Sequence, residues 1–124
     1  MSFKWKDFIR LAKELSEKTT DDAAIRSCIS RAYYGAFCTA RNYCLGQNFI
    51  PLSIKTKSIV HQTVPQCLIE YGKEDEFAIA NLLKSLRIQR NNADYKESFT
   101  ITSADLKKRI FEAESVVSQI EEWS

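Results

Sequence analysis

The sequence contains few residues that interrupt helices, with three glycines and two prolines among 124 residues. Small all-β proteins need many turns, so a chain with so few turn formers favours helices. Only the short segment SFTIT, residues 98–102, alternates polar and apolar side chains as a strand would. A chain of this length forms one domain by default, because two would each have too small a core. We therefore predict one all-α domain over residues 1–124, with about five helices.

Long apolar runs and a strong excess of one charge are also missing. The sequence contains no stretch of about 18 apolar residues, the length that a helix needs to span a bilayer. The first residues, MSFKWKDFIRLAKEL, carry charges where a signal peptide is apolar. These features predict a cytoplasmic protein that does not associate with a membrane. The net charge is only +2, so any contact with nucleic acid would depend on a local cluster of cations.

The four cysteines form no CxxC motif, a spacing that is common among the ligands of structural zinc sites. Cys28, Cys38 and Cys44 share one predicted helix, on which they point roughly 80 to 160° apart. Side chains that diverge in this way cannot converge on one ion. We predict free thiols that pack as small apolar groups, and no metal or other cofactor.

Apolar residues recur at helical spacing in five segments. The predicted helices cover about residues 3–18, 20–45, 55–71, 74–92 and a last segment that begins after a cap at Thr102 or Ser103. Pro65 is expected to kink or break the third helix, because proline cannot donate a backbone hydrogen bond. The inner face of the fourth helix is predicted to comprise Phe77, Ala80, Leu83 and Leu86.

The second predicted helix carries a stripe of small side chains beside a stripe of bulky ones. The small stripe lets another helix axis come close, and the bulky stripe fills the remaining core. We therefore predict that this helix is the centre of the bundle. Gly35, which costs about 1 kcal/mol inside a helix, is expected at a tight helix contact. The small stripe comprises Cys28, Ala32, Ala36 and Ala40, and the bulky stripe comprises Ile25, Ile29, Tyr33 and Phe37.

Cations cluster on the fourth predicted helix. Arg87, Arg90 and Asp94 stand at positions i, i+3 and i+7, so they share one face, and Lys84 lies one turn earlier. Two guanidinium groups at this spacing form a clamp suited to a phosphate. The alternative is a structural ion network, in which Arg90 pairs with Asp94 and either Arg87 or Arg31 joins them. The spacing leaves both interpretations open.

Three segments resemble the motifs of a known family. The segment SRAYYGAFCTARNYC, residues 30–44, is similar to the signature helix of small prokaryotic HEPN domains. The segments KSIVHQTVPQCL and RIQRNNADY are similar to two further motifs of that family and follow in the same order. The resemblance extends over about residues 20–120 and so covers most of the chain.

The resemblance implies an antiparallel helical bundle that forms a homodimer, often encoded beside a minimal nucleotidyltransferase as a toxin–antitoxin or defence pair. Many members are metal-independent ribonucleases that use an arginine and a histidine a few residues later. Arg90 and Asn91 match the start of that motif, whereas Asp94 and Tyr95 stand where the histidine would fall. Their reference pKa values, about 3.9 and about 10, make both side chains poorer proton relays than an imidazole.

Three functions are compatible with these features. The first is a dimeric HEPN module that works with a nucleotidyltransferase partner and binds RNA or a nucleotide. The second is a ribonuclease toxin that lacks the usual histidine and uses Arg90 with Asp94 or Tyr95. The third is a non-catalytic helical assembly protein. We favour the first function, and the predicted ligand contacts are Lys84, Arg87, Arg90, Asn91 and Tyr34.

The sequence leaves the roles of His61 and of three tyrosines open. His61, the only imidazole in the chain, could reach the arginine cluster, but a lone histidine on a helix is more often a packed or exposed group. Tyr95 loosely resembles the tyrosine that the partner enzyme modifies with AMP in related toxins, and the alternative is a packed tyrosine with a bonded hydroxyl. Of Tyr33 and Tyr34, one is expected inside the bundle and the other near the arginines.

Overall fold

Residues 2–123 are described by a computed structural model, which places most of them in helices. No strand occurs within those residues, so the predicted all-α fold of five helices is confirmed and SFTIT is a loop. No helix in the described range is long and apolar enough to cross a membrane. The helices are α1 (Asp7–Ser16), α2 (Asp22–Gly46), α3 (Val60–Tyr71), α4 (Glu74–Tyr95) and α5 (Ser103–Trp123), with a short 3-10 helix at Leu52–Ile54.

The central helix is α2, because it packs against each of the other four helices. Every residue of its small stripe is fully covered, so neighbouring helices approach closely on that side. Three members of its bulky stripe are buried as well, whereas Ile25 is partly exposed. The predicted place of this helix is therefore confirmed. The buried members of the two stripes are Cys28, Ala32, Ala36 and Ala40, and Ile29, Tyr33 and Phe37.

Gly35 lies where α1 crosses α2. A Cβ atom at this position would stand 2.5 Å from Cγ1 of Ile9 and 3.0 Å from the carbonyl oxygen of Trp5. Both separations are shorter than ordinary van der Waals contact, so a larger residue would push the two helices apart. The tight helix contact expected at Gly35 is confirmed.

The inner face of α4 differs from the prediction at its first position. Phe77 is half exposed, and Glu76 and Ile79 are buried instead. The Glu76 carboxylate accepts hydrogen bonds from the Lys73 backbone N–H at 2.8 Å and from the Tyr43 hydroxyl at 3.0 Å. Because these bonds hold Glu76 inward, Phe77 is turned about 100° away from it, towards solvent. The other predicted inner positions are buried: Ala80, Leu83 and Leu86.

The boundaries of three helices also differ from the prediction. Helix α1 is shorter at both ends, and α3 begins only at Val60, because the segment before it folds into consecutive tight turns. Pro65 lies inside α3 without breaking it. Helix α4 continues to Tyr95 instead of ending at Asn92, and the Lys96 N–H closes its last turn on the Asn92 carbonyl at 3.0 Å.

Two further local predictions are confirmed. Thr102 caps α5, since its Oγ1 accepts a hydrogen bond from the Asp105 backbone N–H at 3.1 Å. All four cysteines are buried free thiols. Burial raises the pKa of Cys44 to about 12, so this thiol stays protonated at neutral pH.

We predict that Gly35→Ala destabilises the fold by about 1 kcal/mol. Overpacking against α1 costs about 1 to 3 kcal/mol, and the better helix propensity of alanine offsets about 1 kcal/mol of it. Urea denaturation followed by circular dichroism measures the change. Gly46→Ala is the matched control, because no atom lies within 4 Å of a Cβ at that position. An unchanged midpoint for Gly35→Ala would contradict the tight contact.

Candidate functional site

Three helices bring the predicted site residues together. Helix α4 carries Arg87 and Arg90, α2 carries Tyr33 and Tyr34, and α3 carries His61. Tyr33 is buried in the core, whereas Tyr34 is partly exposed and bonded to Arg90. The two adjacent tyrosines are therefore divided between core and site as predicted.

Arg90 lies behind the surface of the site, with its side chain only 11% exposed. Its guanidinium donates from Nη2 to the Tyr34 hydroxyl and from Nη1 to Oδ1 of Asn91 at 2.6 Å. The centroids of the Tyr34 and Tyr33 rings lie 4.9 and 5.3 Å from its central carbon, which is cation–π distance. Its Nε, which makes no hydrogen bond, is 3.5 Å from Oδ2 of Asp94. Arg90 thus takes part in the structural ion network that the spacing left open, and little of it is accessible to a ligand.

Asp94 and Tyr95, at the end of α4, differ in their surroundings. Asp94 pairs with Arg90 and accepts a hydrogen bond from Ser30 Oγ at 3.4 Å. Arg31 bonds to another residue of α2 and stays outside this network. Tyr95 is 76% exposed, so the alternative of a packed Tyr95 is wrong. Within the described residues, the structure therefore joins two of the three tentative catalytic residues and leaves the tyrosine apart.

His61 lies at the centre of the site. Its ring stacks on that of Phe37 with centroids 4.3 Å apart, and its Nδ1 is 2.8 Å from the Tyr33 hydroxyl oxygen. Burial, followed by the positive charges of nearby arginines, lowers the pKa of His61 from 6.5 to about 4. The imidazole is therefore neutral at physiological pH.

One signal in the sequence points to the position of His61. Val64 and Leu68 are buried at i and i+4 in α3, and His61 precedes Val64 by three residues. That spacing places the imidazole on the inward face of the helix. The sequence left open whether His61 packs or reaches the arginines, and in the structure it does both.

The bond between Tyr33 and His61 also indicates which imidazole nitrogen carries the proton. Burial raises the pKa of Tyr33, so its phenol stays protonated and needs an acceptor. Among residues 2–123, Nδ1 of His61 is the hydrogen-bond partner of that hydroxyl. We therefore assign the proton of the neutral ring to Nε2. Nε2 makes no hydrogen bond to the described residues and is not a buried atom, so it is accessible as a donor.

His61 separates two clefts, which we call the larger and the smaller His61 cleft. The larger encloses about 430 Å³ between α3 and α4, and the smaller encloses about 250 Å³ between α2 and the start of α3. A cleft of about 840 Å³ lies elsewhere, beside Trp5, but it includes Glu121, whose charge is paired with a lysine. Among the described residues, no acidic side chain lines either His61 cleft. Beside His61, the larger is lined by Lys84, Arg87 and Asn91, and the smaller by Tyr34, Arg41, Lys55 and Lys57.

Most cations of the His61 clefts lack an anionic partner. Elsewhere in the described chain, five of the twelve lysines and arginines form ion pairs. The described residues form a single ion pair at the site, between Arg90 and Asp94. Unbalanced positive charge in a cleft attracts anionic ligands. Four of the cations that line the His61 clefts make neither a hydrogen bond nor an ion pair through their side chains with the described residues. These are Lys55, Lys57, Lys84 and Arg87.

The structure thus sorts the predicted contact residues into two groups. Lys84, Arg87 and Asn91 line the larger His61 cleft, and Tyr34 lines the smaller one. Arg90 lies behind both groups and bonds to Tyr34 and Asn91. From this position, Arg90 holds Tyr34 and Asn91 in place.

We predict that the imidazole of His61 titrates near pH 4 and that Arg87→Gln raises this midpoint. The variant removes a positive charge that disfavours the imidazolium. The unfolded chain takes up the same proton near pH 6.5, so the stability of the fold should fall as the pH decreases from about 6.5 to about 4. NMR of a tag-free protein reads the titration directly, because the chain has one histidine.

Arg10→Gln is the matched control for this titration. Arg10 lies on α1, is exposed and pairs with Glu14, so its removal should leave the midpoint of His61 unchanged. A wild-type midpoint near 6.5 would show that cations and burial do not act on this ring.

Comparison with known proteins gave no match to any family model, curated protein or solved structure. The resemblance to HEPN domains therefore stays a prediction from three sequence motifs. The function is inferred from the site itself, and the His61 clefts are its most distinctive feature.

Proposed function

We propose that this protein binds RNA or a nucleotide in the His61 clefts, as a dimeric HEPN-like module that works in the cytoplasm with a nucleotidyltransferase partner. One observation carries the proposal. Lys84 and Arg87 line a cleft that contains no acidic side chain, and neither cation has a partner within the described residues. Such a cleft favours an anionic ligand, and the sequence motifs suggest which one.

The larger His61 cleft offers several hydrogen-bond donors to a phosphate. Arg87 supplies a planar guanidinium fork, Lys84 a mobile ammonium group, and His61 the N–H of Nε2. Asn91 accepts a bond from Arg90 through Oδ1, which leaves its amide N–H groups for a ligand. Charge-assisted bonds of this kind are the usual contacts of proteins with phosphate oxygens.

The smaller His61 cleft favours an oligonucleotide over a single nucleotide. It adjoins the larger cleft at His61 and adds three cations, Arg41, Lys55 and Lys57. Two adjoining cationic clefts suit a strand with consecutive phosphates, because each phosphate neutralised there releases counterions. Single-stranded RNA is therefore the ligand that we propose.

An exposed stripe on α4 supports the proposed homodimer. Phe77 and Ile88 are each at least half exposed, and their spacing of 11 residues keeps them within about 20° of one line along the helix. This is the spacing of residues in a helix–helix seam. Ile88 also lines the larger His61 cleft, so two α4 helices packed along this stripe would bring the two larger clefts together.

Metal-independent cleavage of RNA is the second candidate function. It is favoured by His61, an imidazole in the same cleft as Arg87. A phosphate bound there would offset the arginine charges and raise the pKa of His61 towards neutrality, where an imidazole serves as a proton relay. The tentative set of Arg90, Asp94 and Tyr95 is a weaker basis for cleavage, because Arg90 and Asp94 neutralise each other.

Tyr95 is the proposed contact with the nucleotidyltransferase partner. Its side chain is 76% exposed, and its hydroxyl makes no hydrogen bond to the described residues. An accessible phenol is suitable for transfer of AMP, as the family resemblance implies. A helical assembly protein without a ligand is the remaining alternative, and the binding experiment below distinguishes it.

We predict that Arg87→Ala weakens binding of single-stranded RNA about tenfold or more at low salt. A charge-assisted bond contributes about 1.5 to 3 kcal/mol, and loss of one phosphate contact should lower the salt slope by about 1. Fluorescence anisotropy with labelled RNA across a salt series measures both. Arg10→Ala removes one charge outside the clefts and should leave the affinity nearly unchanged.

Cleavage of the same labelled RNA is followed with the wild type and with His61→Asn, whose fold is checked by circular dichroism. Product formed by the wild type and lost in the variant would establish the ribonuclease. Absence of product together with unaltered RNA binding by Arg87→Ala would contradict both proposed functions and leave the assembly role.

We predict that Ile88→Asp converts the homodimer into a monomer, because a carboxylate at this position would be desolvated in the seam between two α4 helices. Light scattering at micromolar concentration measures the mass. Phe111→Asp is the matched control, since Phe111 is 68% exposed on α5, and it should remain dimeric. A monomeric wild type would contradict the proposed dimer.

A further inference from the structure

Four aromatic side chains from separate segments meet at the end of the bundle opposite His61. Tyr43 of α2 lies 5.2 Å from Trp123 of α5 and 6.3 Å from Phe49, measured between ring centroids. Phe49 in turn lies 5.7 Å from Tyr71, the last residue of α3. None of the four rings is fully buried, and Tyr71 is 57% exposed. They border a cleft of about 360 Å³, which we call the aromatic cleft.

The ring faces of the aromatic cleft carry no cation of the chain itself. Elsewhere, arginine side chains lie over the rings of Phe99, Trp5, Tyr33 and Tyr34. No such contact involves the four rings of the aromatic cleft within residues 2–123. Within that range, no arginine or lysine occupies the ring faces that would attract a positive ligand.

Carboxylates line the other side of the aromatic cleft. Asp75 and Glu76 come from the first turn of α4. Glu76 is bound by the Tyr43 hydroxyl, and burial together with that bond raises the pKa of Tyr43 to about 12, so the phenol remains a donor. Asp75 makes no hydrogen bond or ion pair within the described residues. Lys73 is the one cation among the described lining residues, so the local charge is negative.

We infer that the aromatic cleft binds an organic ammonium ion, with a quaternary ammonium group as the best fit. Aromatic faces attract a cation without offering it hydrogen-bond acceptors, which suits a group that has no N–H to donate. The nearby carboxylates supply long-range attraction. A phosphate or other anion is disfavoured by the same charges.

This inference does not depend on the proposed RNA binding. No residue lines both the aromatic cleft and a His61 cleft. His61 and Tyr71 are ten residues apart on α3, which corresponds to about 15 Å along the helix. The protein would therefore hold an anion near one end of α3 and a cation near the other.

Choline titrated into the Trp5→Phe variant tests the inference, because Trp123 is then the only indole and reports on the aromatic cleft. The buffer is phosphate, since Tris is itself an organic ammonium. We expect saturable quenching of Trp123 by choline. The neutral isostere 3,3-dimethylbutanol should bind at least about tenfold more weakly, because it lacks the charge that the rings attract.

Tyr71→Leu should weaken choline binding about three- to tenfold, as expected for loss of one cation–π contact. Tyr95→Leu is the matched control, since it removes another exposed tyrosine on the same chain, and it should bind choline normally. Asp75→Asn should also weaken binding. Free trimethyllysine titrated in parallel distinguishes a free small cation from a methylated side chain as the natural source.

Two results would overturn the inference. Equal affinity for choline and its neutral isostere would show that the cleft selects only apolar groups. The absence of a saturable signal, both from Trp123 and by calorimetry with the wild-type protein, would show that no ammonium site exists. Because neither measurement involves RNA, failure here is distinct from failure of the proposed function.

Discussion

The guanidinium of Arg90, almost removed from water, links the three helices that form the His61 clefts. It joins α4 to the two tyrosines of α2, and one of those tyrosines holds the imidazole of α3. A buried charge deprived of its partners costs several kcal/mol, so this arrangement permits little variation in the relative positions of the helices. The walls of the clefts are therefore fixed before a ligand arrives, which lowers the entropy that binding must overcome.

Arg87 and Arg90 lie on the same helix but have different surroundings: Arg90 is paired with Asp94, and Arg87 lines the larger His61 cleft. Three residues apart on a helix, their side chains diverge by about 60°, and this angle is enough to place one inside and the other at the surface. The inner group, Arg90, pairs with Asp94 and packs against two aromatic rings, whereas the outer group, Arg87, forms no ion pair with the described residues. The structural ion network predicted from the spacing includes Arg90 and Asp94, and the phosphate contact stays a proposal that concerns Arg87.

Sequence periodicity predicts those features that depend on neighbours along one helix. The five helices, the stripes of α2 and the cap at Thr102 are of this kind. Which of Arg87 and Arg90 faces the cleft depends on where α2 and α3 lie, and His61 meets Tyr33 across 28 residues of chain. The aromatic cleft draws its rings from four segments, so no local spacing indicates it. The prediction that Phe77 lies on the inner face of α4 is wrong, because the buried carboxylate of Glu76 faces the core at that point and turns Phe77 towards solvent.

Burial of the four cysteines determines how the protein responds to oxidants. All four are enclosed in the folded core, and burial suppresses the thiolate form, most clearly at Cys44. The folded protein is therefore inert towards oxidants that attack thiolates. An unfolded molecule exposes all four thiols at once and is open to disulfide cross-linking, which would trap it until the disulfides are reduced. In an oxidising environment, the lifetime of this protein is set by how often its core opens.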